Sequence, residues 1–143
     1  MNAGRLFLTI VVAFIYIFAS DFAIHAQWLD ADYKATASLW RPEEEMRIRF
    51  IWMLGAQLLC AVAFVYIWAK TGWRRRSIAD GASFGFWIGL FQQVMTIVLY
   101  VTMPMPGLLA LKWFIAGLVQ AVLLGMLAAA VYKPRSTRSD SVA

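Results

Sequence analysis

Four long stretches of apolar residues alternate with short polar or turn-forming segments along this chain. They predict helices over about residues 5–26, 43–70, 81–101 and 107–132. Each stretch has at least the roughly 20 residues that a helix needs to cross a bilayer core of about 30 Å. The connections are short, so neighbouring helices are expected to run in opposite directions. The pattern therefore predicts an all-α fold: a single transmembrane domain over residues 1–143, an integral membrane four-helix bundle with antiparallel up-down topology and short loops.

Most of the acidic side chains lie in the segment that joins the first two helices. Six of the eight acidic residues fall between positions 21 and 49, together with the only histidine, His25. We interpret residues 27–42 as an extracytoplasmic linker. This segment is therefore the first place to look for chemistry or for a polar partner.

The second helix has strong start signals at its first turn. Pro42 suits this position because its missing N–H would have no partner there. The three glutamates that follow lie where the helix dipole favours negative charge. Glu43 with Arg47, and Glu45 with Arg49, have the acid-first spacing of four residues that stabilises a helix. The glutamate run is thus predicted to be a solvated helix start rather than a catalytic cluster.

The remaining boundaries are also marked by helix-capping and helix-breaking residues. Ser77 or Asp80 is expected to cap the third helix. Pro104 and Pro106 fall in the short turn between the third and fourth helices. The Ser- and Arg-rich residues 133–143 are expected to form a disordered cytoplasmic tail.

The composition supports a membrane protein. Of the 143 residues, 62% are hydrophobic and only 15% are charged, with a mean hydropathy of +0.68. Soluble domains are about half apolar and about a quarter charged. A chain of this size could not bury so much apolar surface without lipid. Its single cysteine, Cys60, excludes an intrachain disulfide and a CxxC redox motif.

The first apolar stretch also resembles a secretory signal peptide, because a short basic flank precedes it. Cleavage would follow Ala26, which places Ile24 where a small residue is wanted. Phe14 and Tyr16 are bulky for such a segment. A retained membrane-spanning helix is the favoured interpretation.

The basic residues predict which ends face the cytoplasm. Cytoplasmic loops of membrane proteins carry an excess of Lys and Arg. The two termini and the 70–76 loop hold eight of the 13 basic residues, and the opposite side holds five. The distribution predicts both termini in the cytoplasm of a bacterium, with the chain in the inner (cytoplasmic) membrane. The net charge of +5 is assigned to this asymmetry and to the lipid bilayer, not to nucleic acid.

Small residues recur at intervals of four in the last two apolar stretches, and each set forms a smooth helix face. Small faces allow helix backbones to approach closely in lipid. We expect the two faces to pack against each other, with a homodimer seam as the alternative. The small residues are Gly81, Gly85 and Gly89 in the third helix, and Gly117, Ala121, Gly125 and Ala129 in the fourth.

Glutamines are the main polar residues at membrane depth. Gln93 and Gln120 lie near the smooth faces, so a hydrogen bond between them is expected to join the third and fourth helices. Together with Gln57 they are read as polar packing, with a polar path for a substrate as the alternative. No acidic residue is predicted deep in any helix, which argues against a proton-coupled transporter. Phosphate loops and HExxH motifs are missing from the sequence, so no catalytic residue and no cofactor are predicted.

Asp21 and His25 are the remaining candidates for chemistry. Four residues apart on a helix, they would share a face at the outer end of the first helix, with Trp28 on the same side. A carboxylate can orient an imidazole, so one hypothesis is a metal or proton site that also uses Asp30 or Asp32. The alternative is an interfacial pair that anchors the helix end.

Several short motifs resemble small bacterial four-transmembrane-helix membrane proteins of uncharacterised function. The resemblance covers most of the chain and implies four helices in a bacterial inner membrane. It transfers no catalytic or binding residue. The motifs are Asp21-Phe22-x-x-His25, Leu39-Trp40-Arg41-Pro42 with Met46, Gly81 followed by Phe84-Gly85, Met103-Pro104-Met105-Pro106, Trp113, and Gly125 with Tyr132-Lys133-Pro134.

Three functions remain open from the sequence. The first is a non-enzymatic membrane subunit, scaffold or accessory protein with a protein partner or a second copy of itself. The second is a small oligomeric transporter or channel with Asp21 and His25 at its outer mouth. The third is a membrane enzyme or metal site that uses the same pair.

Overall fold

The computed structural model describes residues 2–70 and 77–132 of the chain. The expected cytoplasmic tail, residues 133–143, and the arginine cluster at positions 74–76 lie outside these residues. Within the described part the chain is helical and contains no strand.

Four of the helices are long. They are α1 (Ala3–Asp21), which continues into a π-helical segment (Phe22–Trp28), α4 (Phe50–Lys70), α5 (Ile78–Thr102) and α6 (Gly107–Val131). By length and composition, four helical stretches of the described residues qualify to cross a membrane. These are Ala3–Trp28 and the full lengths of α4, α5 and α6.

The connection between α1 and α4 is itself folded. It contains two short α-helices, α2 (Asp30–Ala35) and α3 (Glu43–Ile48), with a 3-10 turn at Ala37–Leu39 between them. The sequence predicts one continuous helix from residue 43, but the structure interrupts it at Arg49, whose backbone leaves helical geometry (φ −91°, ψ 1°). The three glutamates do lie in the first turn of a helix, which is α3.

The predicted ion pairs of α3 form only in part. Glu45 accepts from Arg49 at 3.2 Å and from Arg41 at 3.4 Å. No pair between Glu43 and Arg47 forms among the described residues. Glu45 therefore bridges the residues on both sides of α3.

The predicted cap of α5 is present. The Ser77 hydroxyl accepts a hydrogen bond from the Asp80 backbone N–H, and the Asp80 carboxylate accepts one from the Ser77 N–H. These reciprocal bonds form a capping box, which satisfies two donors that the helix start would otherwise leave free. The start of α5 is thus fixed by its own sequence.

Helices α5 and α6 are the most extensively packed pair, and their small residues face each other as predicted. A Cβ atom added to Gly81 would overlap the backbone of Gly125, and one added to Gly85 would overlap the backbone of Ala121. Backbones this close leave no room for larger side chains. The contacts run in opposite order along the two helices, since Gly81 meets Gly125 whereas Tyr100 lies beside Gly107.

Helix α1 contacts both α4 and α6. Its buried residues Ala13 and Ile17 belong to one core cluster with residues of α4 and α6. Helix α4 reaches α5 through Phe64 and Trp68, whose rings lie 5.0 and 5.3 Å from the ring of Phe84. Elsewhere these helices expose large apolar side chains, such as Phe91 at 80% and Trp52 at 78% exposure. Large exposed apolar surfaces mark sites of contact with a membrane or with another protein.

A polar site between the apolar helices

Asp21 is the last residue of α1, and its carboxylate is held by the side-chain amides of two other helices. Gln57 of α4 donates from Nε2 to Oδ2 at 2.6 Å, and Gln120 of α6 donates from Nε2 to Oδ1 at 2.7 Å. Each carboxylate oxygen thus accepts one amide N–H. The contact joins three helices at a single side chain.

This carboxylate lies further inside the apolar segments than the sequence suggests. Asp21 precedes Trp28, where the apolar stretch ends, by about two helical turns. Its partner Gln120 lies near the middle of α6. The sequence places Asp21 at the outer end of the first helix, and the structure brings its carboxylate to the middle of α6.

Further hydrogen bonds fix Gln120. Its Nε2 also donates to the Ser20 hydroxyl at 2.7 Å, and the Tyr16 hydroxyl donates to the Gln120 backbone carbonyl at 3.2 Å. Gln57 is only 7% exposed, and its buried Oε1 has no hydrogen-bond partner among residues 2–70 and 77–132. An unsatisfied buried acceptor is costly, so a further hydrogen-bond donor or a cation at the Asp21 site would be stabilised by Gln57 Oε1.

A polar cleft of about 170 Å³ lies beside this network. Its polar lining comes from the π-helical segment, α5 and α6. Gln120 belongs to both, because its side chain lines the cleft and also donates a hydrogen bond to the Asp21 carboxylate. The polar residues and the indole that line the cleft are His25, Gln93, Thr96, Trp113 and Gln120.

Gln93 occupies this cleft, but it does not bond to Gln120 as the sequence suggests. Its Oε1 accepts from the Thr96 hydroxyl at 2.7 Å. Its amide lies against Gly117, and a Cβ at that position would overlap the Gln93 Nε2. A side chain at position 117 would therefore displace the Gln93 amide, and Gln120 bonds to Asp21 instead.

His25 belongs to a second network at the linker end of the cleft. Its Nδ1 lies 2.5 Å from the Tyr33 hydroxyl, which also accepts from Trp113 Nε1 at 2.9 Å. Because the indole can only donate, the phenol hydrogen is free to point at Nδ1. That arrangement assigns the remaining proton of a neutral imidazole to Nε2. Burial raises the pKa of Tyr33 from 10.0 to about 12, so this phenol remains a donor at physiological pH.

The expected pair of Asp21 and His25 does not form. Asp21 is the last residue of α1, whereas His25 lies in the π-helical segment that follows it. Asp21 instead accepts hydrogen bonds from Gln57 and Gln120, and His25 is hydrogen-bonded to Tyr33.

The linker is attached to α6 by a second contact. Lys112 Nζ lies 2.7 and 2.9 Å from the two carboxylate oxygens of Asp32, and both side chains are about one quarter exposed. Asp32 is therefore engaged by α6 and only partly open to solvent. Asp30 does face solvent, where it pairs with the exposed Lys34 at 2.7 Å.

Aromatic side chains fill the space between these two contacts. The ring of Tyr33 lies 5.4 Å from that of Trp40, and Trp40 lies 5.8 Å from Trp113. Beneath them, Leu29 and Leu109 are almost completely buried. The linker is consequently packed onto the start of α6 rather than extended away from it.

The hypothesis of a metal site shared by His25, Asp21 and the linker aspartates has no structural support in the described residues. They contain no group of three or more His, Cys, Asp or Glu side chains that could hold a metal ion. The two candidates, His25 and Asp21, bond to different partners. Asp30 and Asp32 are each engaged by a lysine.

Sequence reasoning named Gln57 and Gln120 as polar packing residues and Asp21 as a candidate for chemistry, but it did not connect them. It missed Tyr33 and Ser20. An i, i+4 search from Asp21 could not find the glutamines, because they are 36 and 99 residues away along the chain. The phenol of Tyr33 gave no signal, since a tyrosine in a polar linker is unremarkable by pattern.

Comparison with known proteins gives no relative. No family model, no curated protein and no solved structure matches this chain. The polar site must therefore be interpreted from its own chemistry.

Proposed function

We propose that this chain is a multi-pass membrane protein, an antiparallel four-helix bundle, that binds a monovalent cation at Asp21 and conducts or transports it. This is the second of the functions that the sequence left open, and the position of Asp21 moves it to first place. The observation that carries the proposal is a carboxylate held at the meeting point of three apolar helices. Ionisable side chains inside membrane segments are costly and usually mark ion or substrate pathways.

The charge of Asp21 supports a cationic ligand. Among the described residues no Lys, Arg or His side chain forms an ion pair with it. The amide hydrogen bonds distribute its charge but do not neutralise it. A proton or a small metal cation that reaches this carboxylate would supply the missing positive charge, and the orphaned Gln57 Oε1 offers an additional oxygen ligand.

The experiment is a flux assay on purified protein in liposomes. We expect proton or sodium flux, followed with a trapped pH dye or with labelled sodium, above that of empty vesicles. Asp21→Asn should abolish the flux, because it removes the charge and keeps the side-chain shape. Asp30→Asn is the matched control, since the Asp30 side chain is half exposed in the linker and, within the described residues, pairs only with Lys34.

Folding of each variant is checked by helical circular dichroism and by size-exclusion chromatography in detergent. Equal flux in wild type and Asp21→Asn would reject Asp21 as the cation site. Wild-type flux no greater than that of empty vesicles, for both cations, would reject the transport function. The elution volume reports whether the protein acts as an oligomer.

The accessory-subunit function is the second candidate, and the exposed apolar surface favours it. Near the linker, α4 and α5 present Trp52 at 78% and Val101 at 77% exposure. Such a surface suits lipid or another membrane protein. Stoichiometric co-purification of one membrane partner from native membranes, combined with absent flux, would support this function. The enzyme hypothesis loses support because Asp21 and His25 hydrogen-bond to different partners and not to each other.

We further propose that both termini face the cytoplasm of a bacterial inner membrane, because the basic residues predominate on that side. The cleft and the folded linker would then face outward. A topology reporter fused after Val142 should report a cytoplasmic location. A periplasmic signal would reverse the orientation.

A further inference from the structure

The cleft beside Asp21 has the chemistry of a second binding site. It is lined by amide, hydroxyl, imidazole and indole groups, and no charged carboxylate, lysine or arginine is among its lining residues. Its volume of about 170 Å³ is close to that of engineered cavities of about 150 Å³ that bind benzene. A molecule of about six or fewer non-hydrogen atoms would fit.

The lining residues retain unused hydrogen-bonding capacity of both kinds. On the donor side, Gln93 Nε2 has no hydrogen-bond acceptor within the described part of the chain, and His25 Nε2 carries the proton that Tyr33 excludes from Nδ1. On the acceptor side, Gln120 uses only its Nε2, and the Thr96 hydroxyl donates to Gln93 and can still accept.

We propose that this cleft binds a small neutral solute that carries both N–H and C=O groups, of the primary amide or urea class. A carbonyl would accept from Gln93 and His25, and an amino group would donate to Gln120 and Thr96. A carboxylic acid would be repelled by the nearby Asp21 charge. A bare cation would find two donors facing it, which is unfavourable.

The position of Gln120 relates this solute to the cation site. Its side chain lines the cleft and donates to Asp21 Oδ1, so one residue touches both ligands. This part of the inference rests on the proposed cation function, whereas the binding of the amide does not. Solute binding and cation binding should therefore be coupled, with reciprocal effects on each other's affinity.

The test uses the full chain in lipid nanodiscs, with acetamide as the probe and saturation-transfer NMR as the readout. Guanidinium and acetate serve as charged probes of similar size. We expect acetamide to bind more tightly than either. Gln93→Leu and Thr96→Val should each weaken acetamide binding by about fivefold or more, the effect of a lost hydrogen bond.

Matched controls lie on the same helix. Gln92→Leu removes the neighbouring amide, which does not line the cleft and lies 3.7 Å from the Cys60 sulfur. Thr102→Val removes a hydroxyl that bonds only to its own helix. Both controls should bind acetamide like wild type, with unchanged helical circular dichroism in all four variants.

Three results would overturn the proposal. The first is that wild type does not bind acetamide, which would mean that the cleft holds only water. The second is equal acetamide binding by Gln92→Leu and Gln93→Leu. The third is that wild type binds guanidinium or acetate more tightly than acetamide. The cation function fails separately. If Asp21→Asn binds acetamide and wild type shows no cation flux, the solute site stands and the cation site does not.

Discussion

Replacement of Tyr33 by phenylalanine tests the attachment of the linker to the helices. The change removes one oxygen that accepts from Trp113 Nε1 at 2.9 Å and contacts His25 Nδ1 at 2.5 Å. The ring contacts with Trp40 and Trp113 remain available to phenylalanine. The experiment therefore isolates the hydroxyl.

The magnitude follows from the two lost hydrogen bonds. Each contributes about 0.5–1.5 kcal/mol to stability, and a donor left buried without a partner costs about 1–3 kcal/mol. Trp113 is partly buried, whereas His25 is exposed and can recover a bond to water. We expect Tyr33→Phe to lower the free energy of unfolding by about 1–3 kcal/mol, with most of the loss at the indole.

The assay is reversible unfolding in mixed micelles with increasing denaturing detergent, followed by circular dichroism. Tyr66→Phe is the matched control, because Tyr66 lies on α4 at 46% exposure and its contact with Lys70 is to the ring face. The indole N–H resonance of Trp113 should also shift in Tyr33→Phe alone. Equal stability of the two variants, with an unmoved Trp113 signal, would refute this account of the linker.

Three further predictions concern packing, pH and charge. Gly85→Ala should destabilise the protein by about 1–3 kcal/mol, because its Cβ would overlap the α6 backbone. Gly55→Ala is the control and should be neutral or stabilising in the same unfolding assay, since nothing lies within 4 Å of its new atom. Equal effects of the two substitutions would contradict the close contact between α5 and α6. Because the pKa of Tyr33 is raised to about 12, the contribution of the Tyr33 hydroxyl to stability should be complete below pH 10 and lost as the pH rises from about 10 to 12. The ionisation of Tyr33 is followed by tyrosinate absorbance, and ionisation of Tyr33 near pH 10 would contradict this prediction. For Asp32 and Lys112, a double-mutant cycle with Asn and Met should give a coupling of about 1 kcal/mol, and a coupling near zero would mean that the ion pair contributes nothing.

Sequence pattern alone determined the helices and part of their packing. Apolar stretches of sufficient length predict membrane-crossing helices because an unpaired backbone is not tolerated in lipid. The capping residues Ser77 and Asp80 act within one turn, so their roles are readable locally. The facing glycines of α5 and α6 were also predictable, because the short connection at Pro104 and Pro106 forces these two helices to pack side by side.

Only the tertiary structure decided which polar groups meet. Gln57 and Gln120 reach Asp21 from helices that are distant in sequence, and the rotation of each helix about its axis is not encoded by an apolar pattern that surrounds the helix on all sides. Local periodicity also assumed an α-helix after Asp21, where the structure has a π-helical segment. Length and composition indicate which helices could cross a membrane, whereas the rotation of each helix determines where the few polar atoms converge. That convergence at Asp21 is the feature on which the proposed function rests.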